Sequence, residues 1–253
     1  MIGQIFIGIP GCGKTSFCFS MKKIINSTEE IPVSINLDPG SNLNLLNFDI
    51  NIQELIISYE IIPELNLGPN GALLYAIEYF EKNNDWLEKK IANTIEIKNF
   101  CHFLFDFPGQ IELFTHHLAF RNVIKRIISR KIKLIAINFT DSFFLKDKSS
   151  NNSLLLVYII IMLNIELPHI HLISKIDLFQ KKNAIPNLDK QTIKYIYSNF
   201  IFYKCSFFWS KKMSYDLAYL IMEFSTIISI PVSVYYPSSI NLIYKKIKNT
   251  LVS

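Results

Sequence analysis

None of the four cysteines, Cys12, Cys18, Cys101 and Cys205, stands in a C-x-x-C pair or at a metal-ligand spacing. That argues against a disulfide framework and against a structural zinc site. Cys12 falls inside a phosphate-binding motif, where a disulfide would obstruct the site, so the expectation is a reduced, cytoplasmic chain. No basic segment precedes an apolar stretch at the start of the sequence, and no secretory signal is read there. The longest apolar run, residues 154–163, contains Tyr158 and is too short to cross a bilayer, so a buried helix is expected and no membrane partner. Charge of either sign is modest, 26 Lys and Arg against 21 Asp and Glu in 253 residues, a formal +5. The basic pairs (Lys125-Arg126, Arg130-Lys131, Lys181-Lys182, Lys211-Lys212 and Lys245-Lys246) are scattered, without a repeated basic-aromatic motif. They read as solvated helix faces, and direct nucleic-acid binding is not expected. No internal repeat and no Pro/Gly/Ser-rich linker divides the chain, which reads as one domain over residues 1–253.

Against these absences, residues 8–15 spell Gly8-Ile9-Pro10-Gly11-Cys12-Gly13-Lys14-Thr15, a complete G-x-x-x-x-G-K-T loop. Ile5-Phe6-Ile7 before it has the look of a buried strand, and Thr15 onward that of a helix. Successive backbone N–H groups and a positive helix end can wrap a polyphosphate between the two. Gly8, Gly11 and Gly13 let the backbone curl and approach the phosphates. Lys14 would reach the β- and γ-phosphates, and the Thr15 hydroxyl would sit on Mg²⁺. The expected nucleotide contacts of this loop are Gly8, Pro10, Gly11, Cys12, Gly13, Lys14, Thr15 and Ser16. The chain is expected to bind a nucleoside triphosphate.

Strand-like runs recur at residues 4–7, 33–37, 102–105, 134–139, 169–173 and 228–234. Helix-like stretches separate them at 15–25, 71–82, 118–130, 154–163, 190–198, 215–226 and 240–251. Strands that are apolar on both faces and alternate with helices predict an α/β fold, a mostly parallel sheet covered by helices on both faces. Ligands in such a sheet bind at the carboxyl ends of the strands. Roughly sixty residues separate the second run from His102, more than a crossover needs, so inserted structure is expected between about residues 40 and 95. The apolar residues Leu43, Leu45, Leu46, Ile56, Ile57, Ile61 and Ile62 of that stretch are expected mostly in the core.

Two further motifs follow strand ends. Asp106-Phe107-Pro108-Gly109-Gln110 suits γ-phosphate sensing: Asp106 would hold Mg²⁺ through water, the Gly109 N–H would bond the γ-phosphate, and Gln110 would orient the attacking water. Ser174-Lys175-Ile176-Asp177 suits base recognition. The Asp177 carboxylate accepts the N1–H and N2–H donors of guanine, a pair that adenine lacks, while the Lys175 stem packs along the base. Ser174 stands where most small GTPases carry Asn. The adjacent His116 and His117 point apart and read as switch packing rather than metal ligands, and His169 and His171 as core-edge residues.

With Asn36-Leu37-Asp38-Pro39, Leu67-Gly68-Pro69-Asn70-Gly71, Asp106-Phe107-Pro108-Gly109-Gln110-Ile111-Glu112-Leu113 and Thr115-His116-His117, the chain resembles the GPN-loop GTPases, most of all the family's second eukaryotic paralogue. The resemblance runs from Ile5 to about Val234. It implies a P-loop NTPase-type fold with a helical GPN-loop insertion, GTP/GDP as nucleotide, Mg²⁺-dependent hydrolysis, and a homodimer or a heterodimer with another GPN-loop GTPase. It also implies that Asn70 points toward a partner's phosphate site, that Asp38 lies near Mg²⁺ and water, and that Gln110 and Glu112 position that water. The ion would then be held by Thr15, Asp38 and Asp106. The clients implied are RNA polymerase subunits or assembly factors, chiefly for RNA polymerase II, in a cytoplasmic protein that shuttles to the nucleus. Departures from the family pattern are Asn51-Ile52-Gln53-Glu54 in place of Asp-x-Arg-Asp, Gly40 in place of Ala, and Phe107 in place of Cys. Two alternatives share the phosphate loop: a largely non-hydrolytic assembly scaffold ordered by nucleotide, and a nucleoside or nucleotide kinase, which the guanine motif and the lack of an Arg-rich lid disfavour.

Overall fold

A computed structural model describes residues 1–41, 48–98, 100–146, 148–178 and 229–252. The expected helices at 190–198 and 215–226, together with Cys205, Leu43, Leu45 and Leu46, lie outside the described residues. The strands are β1 (Ile2–Gly8), β2 (Ile31–Asn36), β3 (Ile50–Asn51), β4 (Cys101–Asp106), β5 (Lys133–Asp141), β6 (His169–Ser174) and β7 (Ser229–Pro231). They form one sheet in the order β3-β2-β4-β1-β5-β6-β7, and every pairing is parallel. The helices are α1 (Lys14–Ile25), α2 (Ser58–Leu65), α3 (Pro69–Lys82), α4 (Asp85–Ile97), α5 (Glu112–Thr115), α6 (Ala119–Ser129), α7 (Lys148–Ile165) and α8 (Pro237–Val252).

Alternation of side chains splits the core into two layers. Ile5, Ile7, Val33, Ile35, Phe103 and Phe105 face α3, α4, α6 and α7, where Phe80, Leu87, Phe120, Ile124 and Ile161 complete one apolar cluster. Phe6, Leu104, Ile135, Ile137 and Phe139 face α1 and α8, meeting Phe17, Met21, Ile25, Ile243 and Ile247. Both faces of the sheet are therefore covered, which is why its strands read as continuous apolar runs.

The insertion between β2 and β4 holds β3, a 3₁₀ turn at Ile52–Glu54, and α2 to α4. A polar seam ties it to α6: Asn122 Nδ2 donates to Glu81 Oε1 at 2.6 Å, Arg126 Nη1 meets Asp85 Oδ1 at 3.4 Å, and Arg130 pairs with Glu88. The 154–163 run is helical within α7, but Ile160 and Leu163 are 45% and 55% exposed while Tyr158 and Ile161 are buried. Only one side of α7 reaches the sheet, so that run is not a fully buried helix. Among the described residues, no helix is long and apolar enough to cross a membrane.

At the amino ends of the strands, away from the motifs, the half-buried Glu30 anchors a polar cluster. Its Oε2 lies 2.8 Å from His102 Nδ1 and accepts from the Tyr244 hydroxyl at 3.0 Å, and its Oε1 lies 3.1 Å from Lys248 Nζ. The other ring nitrogen of His102 meets Gln4 Nε2 at 2.8 Å. The bond from His102, with help from Lys248 and Tyr244, holds the Glu30 carboxyl down at about 2.

Candidate nucleotide-binding site

The parallel sheet delivers the ends of β1, β2, β4, β5 and β6 to one edge, and each sequence motif starts there. The β1 strand stops at Gly8, the chain turns through residues 9–13, and α1 starts at Lys14. Gly13, at the helix cap, has φ 92°, a left-handed conformation that disfavours any side chain. No side chain caps α1 and no acidic residue lies in its first turn. Its leading N–H groups therefore remain for a ligand, and the positive end of the helix is not neutralised from within. Lys14 is buried, and its Nζ donates to the carbonyls of Gly8 (2.9 Å) and Ile9 (3.1 Å). Cys12 is fully buried within the β1–α1–β5 apolar cluster, and burial pushes its thiol pKa up. Its contribution to a phosphate is thus a backbone one.

The structure brings Thr15 and Asp106 together: Thr15 Oγ1 donates to Asp106 Oδ2 at 2.6 Å. Asp106 ends β4 opposite Asn36 of β2, and its backbone carbonyl accepts from Leu37 N–H at 2.8 Å, which sets the β2 exit beside it. Its second carboxylate oxygen, Oδ1, is buried without a partner. Burial raises its carboxyl to about 6, against the pull of the Thr15 hydroxyl and the Lys14 charge, with the Asp38 charge pushing the same way as burial. Asp38 is itself raised by burial, opposed by the Gly40 N–H that its Oδ1 accepts at 2.9 Å and by Lys14. Two carboxylates destabilised by burial, one with an orphaned oxygen, and a hydroxyl beside them form a hard oxygen set of the kind Mg²⁺ takes while keeping several waters. Thr15, Asp38 and Asp106 therefore fit the ion.

Gly109 sits so close to the phosphate loop that a Cβ would come within 2.8 Å of Pro10 Cα and N. The 106–110 segment therefore packs on the phosphate-loop motif only because residue 109 has no side chain. Phe107 anchors that segment in the core, with ring centroids 4.7 Å from Phe120 and 5.7 Å from Phe114. Gln110 Nε2 donates to Asn70 Oδ1 at 2.9 Å, so the amide expected to orient water meets Asn70, in the first turn of α3, within one chain. Glu112 opens the short α5 and is exposed. His116 and His117 line a cleft with Arg121 and Asn164 behind α5.

On the base side, Asp177 is buried, and its Oδ1 accepts from the Ser233 hydroxyl at 2.6 Å. Lys175 Nζ lies 2.8 Å from Asp141 Oδ2. The Lys175 backbone is left-handed (φ 55°), and its carbonyl accepts from the Ser142 hydroxyl at 2.9 Å. The Ser174 hydroxyl donates to the Thr140 carbonyl at 3.3 Å, so its contacts run into the sheet. His171 is buried between Thr140 and Ser229, and burial pushes its pKa down to about 4. It is a core residue rather than a core-edge one.

Two neighbours of the candidate site escaped the sequence reading, and the importance of a third was not foreseen. Ser233 and Asp141 become neighbours of the base motif only through strand order. Their one signal in sequence is that each follows or ends a strand at the ligand-bearing edge. Gln53 buttresses the Asp38 turn from the insertion, and only its departure from the family pattern marked it.

A family model described as a conserved hypothetical ATP binding protein matches residues 6–252. GPN-loop GTPase 2 of Danio rerio is 37% identical over 191 residues, 75% of this chain and 60% of that protein. The GPN-loop GTPase 2 homolog of Dictyostelium discoideum is 40% identical over 191 residues, 75% of this chain and 59% of that protein. GPN-loop GTPase 2 of Xenopus tropicalis is 32% identical over 250 residues, 95% of this chain and 79% of that protein. The chain thus spans about 60% of the length of the first two of these relatives. Among solved structures, a GTPase in apo form from Pyrococcus abyssi superposes with a TM-score of 0.77 over 98% of this chain and 96% of its own. At 20% identity it speaks for the fold alone.

Proposed function

Because this chain belongs to the GPN-loop GTPase family, we propose that it binds GTP with Mg²⁺, hydrolyses it slowly and uses the nucleotide state as a switch. One observation carries this: the Thr15 hydroxyl clasps Asp106 at 2.6 Å while Asp106 Oδ1 stays buried and unpartnered at the mouth of an uncapped helix. Mg²⁺, held there by Thr15, Asp38 and Asp106, would supply neutralisation of phosphate charge. The protein's own groups do the rest. Lys14 exchanges the Gly8 and Ile9 carbonyls for the β- and γ-phosphates, and the first N–H groups of α1 bind along the polyphosphate. The Gly109 N–H faces the γ-phosphate. Gln110 orients the attacking water, assisted by Glu112, once its amide leaves the Asn70 carbonyl.

Asp177 and Lys175 make guanine the favoured base. The finer reading is a dimer, with itself or with another GPN-loop GTPase, in which Asn70 faces a partner's phosphate site. A role in RNA polymerase assembly and nuclear delivery, with shuttling from the cytoplasm, rests on the family resemblance. Affinity capture of the tagged chain in its GTP- and GDP-bound states tests that client role. Capture without a polymerase subunit, an assembly factor or a second GPN-loop GTPase in either state refutes it.

The activity itself is tested by multiple-turnover phosphate release with GTP. Gln110→Leu should retain GTP binding and lose on the order of a hundredfold in turnover, because orientation acts on the transition state. Unchanged turnover in Gln110→Leu and in Glu112→Ala would favour a nucleotide-ordered scaffold.

A further inference from the structure

The turn carrying Asp38 is held from behind by an amide network in the insertion. Gln53, on the 3₁₀ turn after β3, is only 7% exposed. Its Nε2 donates to the Pro39 carbonyl at 3.2 Å and to the Ser41 carbonyl at 2.6 Å. Its backbone N–H donates to Asn51 Oδ1 at 3.1 Å, and that oxygen also accepts from Asn36 Nδ2 at 2.9 Å. The Asn36 amide reaches Ser41 Oγ at 2.7 Å as well, and Asn36 Oδ1 accepts the Asp38 N–H at 3.0 Å. From α2, the Ser58 N–H and its hydroxyl both donate to the Pro39 carbonyl, each at 3.1 Å.

Two features make Gln53 the keystone of this network. Its Oε1 is buried without a partner, so the amide is held by its donors alone. A flipped amide would set that oxygen against two carbonyl oxygens, which fixes its orientation. Among the described residues, the side chains of Asn36, Gln53 and Ser58 that hold this turn from outside it are uncharged, in contrast to the ion-paired seam between the insertion and α6.

We propose that Gln53 is a positioning residue. By tying the carbonyls on both sides of Gly40, it holds the turn that would present the Asp38 carboxylate to a divalent ion on GTP. This rests on the GTPase reading, in which Asp38 serves the ion. Groups that orient a metal's ligands without touching the ion commonly govern ion affinity by ten- to hundredfold.

The test is a Mg²⁺ titration of fluorescent GTP-analogue binding and of phosphate release, comparing wild type with Gln53→Met, which keeps length and volume but has no donor. The expected result is a half-saturating Mg²⁺ raised about tenfold in both readouts and kcat lowered about tenfold. GTP affinity at saturating Mg²⁺ should stay within about threefold, because the phosphate loop is untouched. Ser58→Ala, which removes one donor to Pro39 and leaves the Ser58 N–H in place, should shift the same quantities less, and it keeps the question open to experiment if Gln53→Met folds poorly. A purely structural Gln53 would lower the melting temperature and leave the Mg²⁺ half-saturation of the folded protein at the wild-type value, and that result overturns the proposal. If wild type releases no phosphate at all, the hydrolytic reading fails, while the Mg²⁺ dependence of analogue binding still reports on Gln53.

Discussion

The two halves of the proposed nucleotide site share one edge of the sheet and are built on opposite plans. On the phosphate side, bonding capacity is left over: Asp106 Oδ1 has no partner, α1 has no side-chain cap, and Lys14 rests on two backbone carbonyls. On the base side, the protein's own groups already engage the functional side chains, Asp177 with Ser233, Lys175 with Asp141 and Ser174 with Thr140. The free N–H groups of α1 and the Lys14 ammonium can bind any triphosphate, because every nucleotide carries the same phosphates. A carboxylate fixed by a second residue is suited to reading one base pattern. Affinity should therefore come mainly from the phosphate half, and choice of nucleotide from the base half.

Substitutions can break that division. Lys14→Ala should have the largest effect, about 1.5–3 kcal/mol or roughly ten- to hundredfold in binding, and it should fall equally on GTP and ATP. A loss confined to GTP would contradict the division. Asp177→Asn comes next. One acceptor facing guanine becomes a donor, which costs about 1–3 kcal/mol for GTP, while xanthosine triphosphate, with a carbonyl at that position, gains affinity and ATP stays as in wild type. Calorimetry with the three triphosphates separates these outcomes.

Ser233→Ala probes the division more finely. It frees the Asp177 carboxylate to rotate, and a single hydrogen bond of this kind contributes about 0.5–1.5 kcal/mol, so GTP binding should weaken a few-fold with ATP unaffected. Equal weakening of both would mean that Ser233 serves the fold rather than the base.

The smallest effect on binding should come from the opposite end of the sheet. The folded Glu30 carboxyl sits at about 2, below its ordinary 4.5, so the stability it contributes is complete above 4.5 and is lost as pH falls from there toward 2. Acid melts should show Glu30→Gln losing less stability than wild type across that window, with GTP binding at neutral pH unchanged in both halves of the site. An identical acid dependence in the two proteins would contradict the role given to Glu30.

How much of this was legible beforehand follows from physical range. The P-loop could be read, and the Asp106 segment and the Ser174-Lys175-Ile176-Asp177 run could be marked as candidates, because each is a contiguous run at a strand end. The sheet could be read because both faces of its central strands are buried, so apolar runs mark it directly. α2 and α4 could not: α2 is short and contains Pro63, and α4 buries only Leu87 and Ile91. The exposure of Ile160 and Leu163 was equally hidden, since α7 is apolar around much of its circumference and only packing decides which side meets the sheet. Ser233 lies 56 residues from Asp177, and strand order alone joins them. In sequence, Gln53 and Asn51 were marked only as a departure from the family pattern. Their significance emerges only when β3 brings them against the Asp38 turn.

Competition binding of GTP against ATP to the wild-type chain with Mg²⁺ tests the central claim most directly. The account predicts that GTP displaces a fluorescent nucleotide at least tenfold more effectively than ATP, about the smallest discrimination expected when a buried carboxylate meets its two donors or fails to. Equal displacement, or a preference for ATP, would contradict the assignment of Ser174-Lys175-Ile176-Asp177 as a guanine site and with it the GTPase reading.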